Sequence, residues 1–153
     1  MRYLSRRSRT VHEVRGHLRE KGHSSAEIEE AVSRLTGLGY LDDRALVERA
    51  AERAVSIRPM GPRRLRLELE RRGVERNTIE AGLAASFGPQ EEAQALKSAF
   101  DRSTRGLAGT PDGRQRRRIA ARLARLGFRS GQIRELLEGL GPSEGEGREE
   151  EWH

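Results

Sequence analysis

Apolar residues recur along this chain at helical spacing, and they recur in matching sets. Leu65 and Leu69 lie four apart, Ile79 and Leu83 lie four apart, and Gly73 stands between the two pairs. Val14, Leu18, Gly22, Ile28 and Val32 show the same spacing upstream, and Ile119, Leu123, Gly127, Ile133 and Leu137 show it downstream. Residues three or four apart share one face of a helix, so each pair marks a short amphipathic helix, and the glycine suits the left-handed residue that closes the first of them. The copies are offset by 51 and then 54 residues. A period of that size implies a supersecondary unit repeated in tandem, each copy stacked on its neighbours.

The polar residues mark where these helices begin and end. Thr10 with Glu13, and Ser24 with Glu27, form S/T-x-x-E capping boxes, predicting helices over 10–21 and from 24 to about 37. Asp42 is a good N-cap, and Leu41 and Leu46 occupy the two positions of a hydrophobic staple. The helix that follows should reach about Ile57 with Leu46, Val47, Ala50, Ala54 and Val55 facing inward, its alanines implying close approach to a neighbour. Gly61-Pro62 opens the next helix, since proline is harmless at the first helical position, and Gly73 closes it. Asn77–Ser86, a helix entered at Gly88-Pro89 with Ala93, Leu96, Ala99 and Phe100 inward, Arg114–Leu126 and Ser130–Leu140 complete the set. Residues 106–113 read as a loop. No segment alternates over the length a strand needs, so the fold is all-α.

If each repeat is one long helix followed by two short ones, the boundaries fall at 1–37, 38–88 and 89–141. The long helices are then residues 42–57 and 89–104, and that of the first repeat must precede Thr10, where nine residues stand. Either that helix is truncated or the native start lies upstream of Met1. After Gly141-Pro142 the chain turns to Ser, Glu and Gly, a composition that cannot bury enough apolar surface to order itself, so residues 142–153 are expected to be a disordered acidic tail.

Composition sharpens this picture. Hydrophobic residues are 34% and charged residues 35% of the 153, which favours thin helical packing over a thick sheet-based core. Cysteine is absent, which removes disulfides and thiolate chemistry. No apolar run approaches the roughly 20 residues of a membrane span, and a cytoplasmic location is expected. The formal charge is +6, and the residues from Ser143 onward carry five glutamates against one arginine, or −4, so residues 1–142 carry +10. A basic body with an acidic tail points to a polyanionic partner.

Catalytic chemistry finds no footing. His12, His17 and His23 are five and six residues apart, which does not place two ligands on one helix face. No G-x-x-x-x-G-K-[ST] loop is present, and Gly37-Leu38-Gly39 lacks the strand and third glycine of a dinucleotide fingerprint. Carboxylates mostly have arginines three or four places away, as Glu68 has Arg72, which is the spacing of helix-surface pairs. Neither enzyme activity nor a cofactor or metal is expected.

What remains is positive charge that recurs with the repeat. Arg15 and Arg19, then Arg63, Arg64, Arg66, Arg71 and Arg72, then Arg114, Arg116, Arg117, Arg118, Arg122 and Arg125 occupy equivalent helices. A solvated helix face accounts for any one of them; recurrence on the same element argues for a shared partner with a repeating polyanionic surface. Aromatic residues are 4%, too few for base stacking to dominate such binding.

Four segments in this order carry a family resemblance: Leu4-Ser5-Arg6-Arg7, Leu38-Gly39-Tyr40-Leu41-Asp42-Asp43, Gly61-Pro62-Arg63-Arg64-Leu65 with Leu69 and Gly73, and Leu123-Ala124-Arg125-Leu126-Gly127-Phe128. The chain to Leu140 resembles RecX, the regulatory protein of the RecA recombinase. The resemblance implies three tandem three-helix repeats forming an elongated, curved molecule that lies in the groove of the RecA–DNA filament. It also implies restraint of RecA's ATP hydrolysis, strand exchange and stimulation of repressor self-cleavage, and so a part in recombination, DNA repair and the SOS response. The expected partners are the RecA filament and the DNA within it, met by a monomer, with the arginines above as contacts. One departure is His23, which stands where the later repeats have Val74 and Phe128. The competing reading is a stand-alone, sequence-nonspecific DNA-binding protein, because basic trihelical repeats resemble helix-turn-helix modules. Reversal of Arg63, Arg64 and Arg66 to glutamate is expected to abolish RecA modulation without unfolding the chain.

Overall fold

The computed structural model describes residues 2–5 and 8–142. Those residues form helices α1 (Arg2–Ser5), α2 (Val11–Glu20), α3 (Ser25–Gly37), α4 (Asp43–Ser56), α5 (Pro62–Arg71), α6 (Arg76–Ser86), α7 (Pro89–Thr104), α8 (Gly113–Arg125) and α9 (Ser130–Glu138). The fold is all-α, as the periodicity predicts, and among the described residues there is no strand. The tail expected to be disordered lies outside the described residues except for Pro142. Ahead of Thr10 stands the four-residue α1 in place of a long helix.

The start signals act as read. Thr10 and Ser24 accept from the backbone N–H of Glu13 and Glu27, whose side chains reach back to the cap. A third box, Asp112 with Gln115, opens α8 at Gly113 and was hidden in the stretch read as a loop. Asp42 Oδ1 accepts from Ala45 N–H at 3.0 Å, and the stapling residues Leu41 and Leu46 are both buried. The phases of two helices differ from expectation. In α4 it is Leu46, Val47, Ala51 and Ala54 that are buried, with Ala50 and Val55 half-exposed; in α7 Ala95, Leu96 and Ala99 are buried while Ala93 faces solvent. The inward row of α7 starts at Glu92, three residues ahead of Ala95, and Ala93 falls off that row.

The stop signals repeat three times. Gly22, Gly73 and Gly127 have φ of 86°, 81° and 88°. At each, the glycine N–H bonds the carbonyl three residues back: Gly22 to Arg19 at 3.0 Å, Gly73 to Glu70 at 2.9 Å, Gly127 to Ala124 at 3.0 Å. The next residue bonds five back: His23 to Leu18 at 3.2 Å, Val74 to Leu69 at 3.1 Å, Phe128 to Leu123 at 3.2 Å. These are the paired bonds of a Schellman cap, for which a left-handed glycine is suited. Val74 and Phe128 are buried, whereas His23 is exposed and sits 3.3 Å from Glu27.

The described residues pack into two compact units. One comprises the chain up to Glu52 together with Leu65–Gly88. Its first cluster is Val14, Ile28, Val32 and Leu41, with Tyr3, Leu4, Val11, Leu18 and Leu35 packed against it. Gly82 on α6 lies so close to Val47 on α4 that a methyl group there would meet the valine. The other unit comprises Arg53–Arg64 and the chain from Pro89 on, with Ala54, Met60, Ala95, Leu96, Ala99, Ile119, Leu123, Phe128 and Ile133 buried.

Each unit is closed by the same junction. In the first, the start of α2 meets the end of α5: the Thr10 hydroxyl, fully buried, donates to the Arg72 carbonyl at 2.7 Å, and Gly73 lies against the His12 side chain. In the second, the start of α5 meets the end of α8: Gly61 N–H donates to the Leu126 carbonyl at 2.7 Å and Arg63 N–H to the Gly127 carbonyl at 3.3 Å. Thr10 and Gly61 are equivalent repeat positions, as are Arg72 and Leu126. The start of one repeat's middle helix therefore docks on the glycine cap of the next repeat's.

Candidate functional surface

The arginines singled out by the repeat fall into two classes once their partners are known. Arg15 forks onto Glu29, Nε to Oε1 at 2.9 Å and Nη2 to Oε2 at 3.1 Å. The pair raises the Arg15 pKa and lowers that of Glu29, the hydrogen bond being the largest cause in both. Arg66 forks onto Glu80 in the same way, at 2.6 and 3.2 Å. Arg72 is held more deeply. Its Nε and Nη2 donate to Glu13 Oε1 at 3.1 and 2.7 Å, and Nη2 also donates to the Ser8 carbonyl at 2.7 Å. Arg116 donates to the carbonyls of Pro111, Leu137 and Gly141 at 2.9, 3.2 and 2.6 Å, tying the start of α8 to the end of α9. Arg64 is half-buried beside Gly127, whose own side has no room for a methyl group. These five have work inside the fold.

The others are exposed and have no side-chain partner among the described residues. They are Arg19 and Arg71 in the first unit, and Arg63, Arg114, Arg117, Arg118, Arg122 and Arg125 in the second. α8 therefore presents five exposed arginines and no carboxylate. At 100° per residue, Arg114, Arg118, Arg122 and Arg125 fall within about 80° of one another, a stripe centred about 120° around the helix from the buried Ile119 and Leu123. Successive members are about 4.5–6 Å apart along the axis.

Two further arginines of this unit, outside the predicted set, lie on or next to α9. Arg129 Nε lies 3.3 Å from Oε1 of the buried Glu92, which has no aligned hydrogen bond. Arg134 on α9 is exposed and without a partner among the described residues. The signal for it was present in the repeat: position 134 is equivalent to Glu29 and Glu80. The expected reversal of Arg63, Arg64 and Arg66 also changes meaning, because Arg66→Glu would set two carboxylates against each other at Glu80 and disturb the fold it was meant to spare.

No group of three or more His, Asp or Glu among the described residues could hold a metal ion, and no helix there is long and apolar enough to cross a membrane.

Comparison with known proteins gives these features a family. A model for the first three-helix domain of RecX matches residues 1–35, and one for the second three-helix domain matches residues 42–83. The chain is 36% identical over 143 residues to the regulatory protein RecX of Trichlorobacter lovleyi, covering 90% of each. It is 31% identical over 138 residues to that of Prosthecochloris aestuarii, covering 90% of this chain and 88% of the relative. Against the RecX of Halalkalibacterium halodurans it is 30% identical over 99% of its own length but spans only 56% of that longer protein. A crystal structure of RecX from Lactobacillus salivarius shares the fold with a TM-score of 0.76 at 21% identity, over 91% of this chain and 90% of that one. A second RecX crystal structure superposes with a TM-score of 0.70 at 23% identity, over 90% and 66%.

Proposed function

The chain belongs to the RecX family of regulatory proteins, and from that premise we propose that it binds the RecA–DNA filament and restrains RecA's ATP hydrolysis, strand exchange and coprotease activity. It acts without chemistry of its own, as a cytoplasmic monomer built of repeats over 1–37, 38–88 and 89–141. The observation that carries this reading is the identity to a relative of matching length. The arginines without a partner among the described residues support it physically. A filament offers the same acidic and phosphate groups at regular intervals, and a tandem array can engage successive subunits, so contacts that are individually weak gain from effective concentration. Arginine pairs bidentately with either carboxylate or phosphate.

The test is to add the full chain to RecA on single-stranded DNA and follow ATP hydrolysis. Restrained hydrolysis is expected, and unchanged hydrolysis at saturating protein overturns the proposal. Replacing Arg63, Arg71 and Arg122 with glutamate, none of them partnered among the described residues, should abolish the effect while the helical circular dichroism is retained. If wild-type protein instead binds bare duplex as tightly as the filament at matched salt, the stand-alone DNA-binding reading replaces it.

A further inference from the structure

One ion pair is built twice in this chain and broken once. Arg15–Glu29 ties α2 to α3, and Arg66–Glu80 ties α5 to α6, each spanning 14 residues and bidentate through Nε and Nη2. The third repeat has Ala120 and Arg134 at the equivalent positions. The helix that supplied the arginine now supplies a methyl group, and the helix that supplied the carboxylate now supplies a guanidinium. The first two repeats neutralise this position internally, while the third leaves it positive and open. Arg134 is exposed, Gly131 one turn before it has nothing within 4 Å of the place a methyl group would take, and Glu138 one turn after it makes no ion pair with it. On the α8 side, Arg117 lies about 60° around the helix from Ala120, between it and the stripe formed by Arg114, Arg118, Arg122 and Arg125.

We propose that the α8–α9 face of the third repeat is a nucleic-acid backbone site, in which a phosphate supplies the anion that this repeat does not supply for itself, held by Arg134 and Arg117, with neighbouring phosphates on the α8 stripe. This deepens the regulatory reading by assigning DNA contact to one repeat. The equivalent positions of the first two repeats are already engaged by Glu29 and Glu80 and contribute little to it. Nucleic acid fits this face better than an acidic protein surface because α8 runs without a single carboxylate and its stripe places cations about 4.5–6 Å apart over nearly its whole length.

The test uses the full chain and a fluorescent oligo-dT strand in the absence of RecA, with affinity measured across a salt series. Each phosphate contact on a single strand contributes about 0.7 to the slope of log affinity against log salt. Arg134→Gln removes the cation, and Ala120→Glu sets a carboxylate opposite it, building the pair in reversed order; each should make the slope shallower by about one contact. Lys97→Gln makes the same change in charge as either at an exposed position of α7 and should leave the slope unchanged. Ala120→Gln, which adds the bulk without the charge, should behave as wild type. Equal loss in all the charge variants, or no loss at Arg134→Gln, overturns the site. So does the case in which Arg134→Gln spares oligonucleotide binding but relieves restraint of RecA, since the face would then meet protein. Because binding is read without RecA, failure of the regulatory reading shows separately, as wild-type protein that binds the strand but leaves hydrolysis unchanged.

Discussion

Replacing each cap glycine with alanine separates what the cap costs from what the junction costs. Gly22, Gly73 and Gly127 share a left-handed φ near 81–88° and the same two Schellman bonds, so the conformational penalty is common to all three. An L-residue there costs about 1–2 kcal/mol, partly offset by the roughly 0.4–1 kcal/mol that alanine removes from unfolded-chain entropy. Gly22 has nothing within 4 Å, so Gly22→Ala should cost about 1 kcal/mol. At Gly73 the methyl meets the Cβ and ring of His12, which can move only by loosening the Thr10 hydrogen bond to Arg72. That adds about 1–2 kcal/mol. At Gly127 the methyl meets the backbone N of Arg64, which no rotamer change relieves. The start of α5 must shift, and the bonds from Gly61 and Arg63 go with it, for an added cost of about 3 kcal/mol or more. Urea unfolding followed by circular dichroism at 222 nm should rank the losses Gly22 < Gly73 < Gly127. Equal losses at all three would mean that the junctions contribute nothing beyond the caps, and a largest loss at Gly22 would refute the reasoning outright.

The partnered arginines should behave differently from the free ones. Arg72→Ala and Arg116→Ala each remove charge-assisted bonds from half-buried positions and should cost about 2 kcal/mol, whereas Arg118→Ala should stay within about 0.5 kcal/mol; chemical denaturation of the three variants checks this. The Asp43 carboxyl is raised above its ordinary pKa, chiefly by burial, against the lowering effect of the Val11 N–H it accepts at 3.1 Å. The native state then holds that proton more tightly than the unfolded one, so this group's contribution to stability falls as pH rises through the range just above the ordinary aspartate value. Asp43→Asn keeps an acceptor for Val11 and should be neutral or stabilising at pH 7, with any gain fading as the pH falls toward 3; stability measured at the two pH values checks the sign. Binding to the RecA filament should weaken steeply between about 50 and 200 mM salt, and an affinity indifferent to salt would count against an arginine-borne interface.

Much of this molecule was legible in its sequence because helices announce themselves locally. The i, i+4 apolar pairs, the two S-x-x-E style boxes, Pro62 and the three cap glycines act within a few residues of where they stand. The box at Asp112 was missed because its neighbours, Gly106, Gly109, Pro111 and Gly113, read as loop. Side-chain phase was less secure. Ala93 and Ala95 are chemically identical, and only the position of the neighbouring helices decides which is covered.

The sequence by itself determined the helices, their ends, their threefold repetition and the excess of positive charge on the body of the chain. Tertiary structure decided which of those charges are free. Arg15, Arg66, Arg72 and Arg116 look like the others when written in a line, and their partners lie 14, 14, 59 and as far as 25 residues away. A charge is neutralised by what folding brings within about 3 Å of it, and separation along the chain does not set that distance.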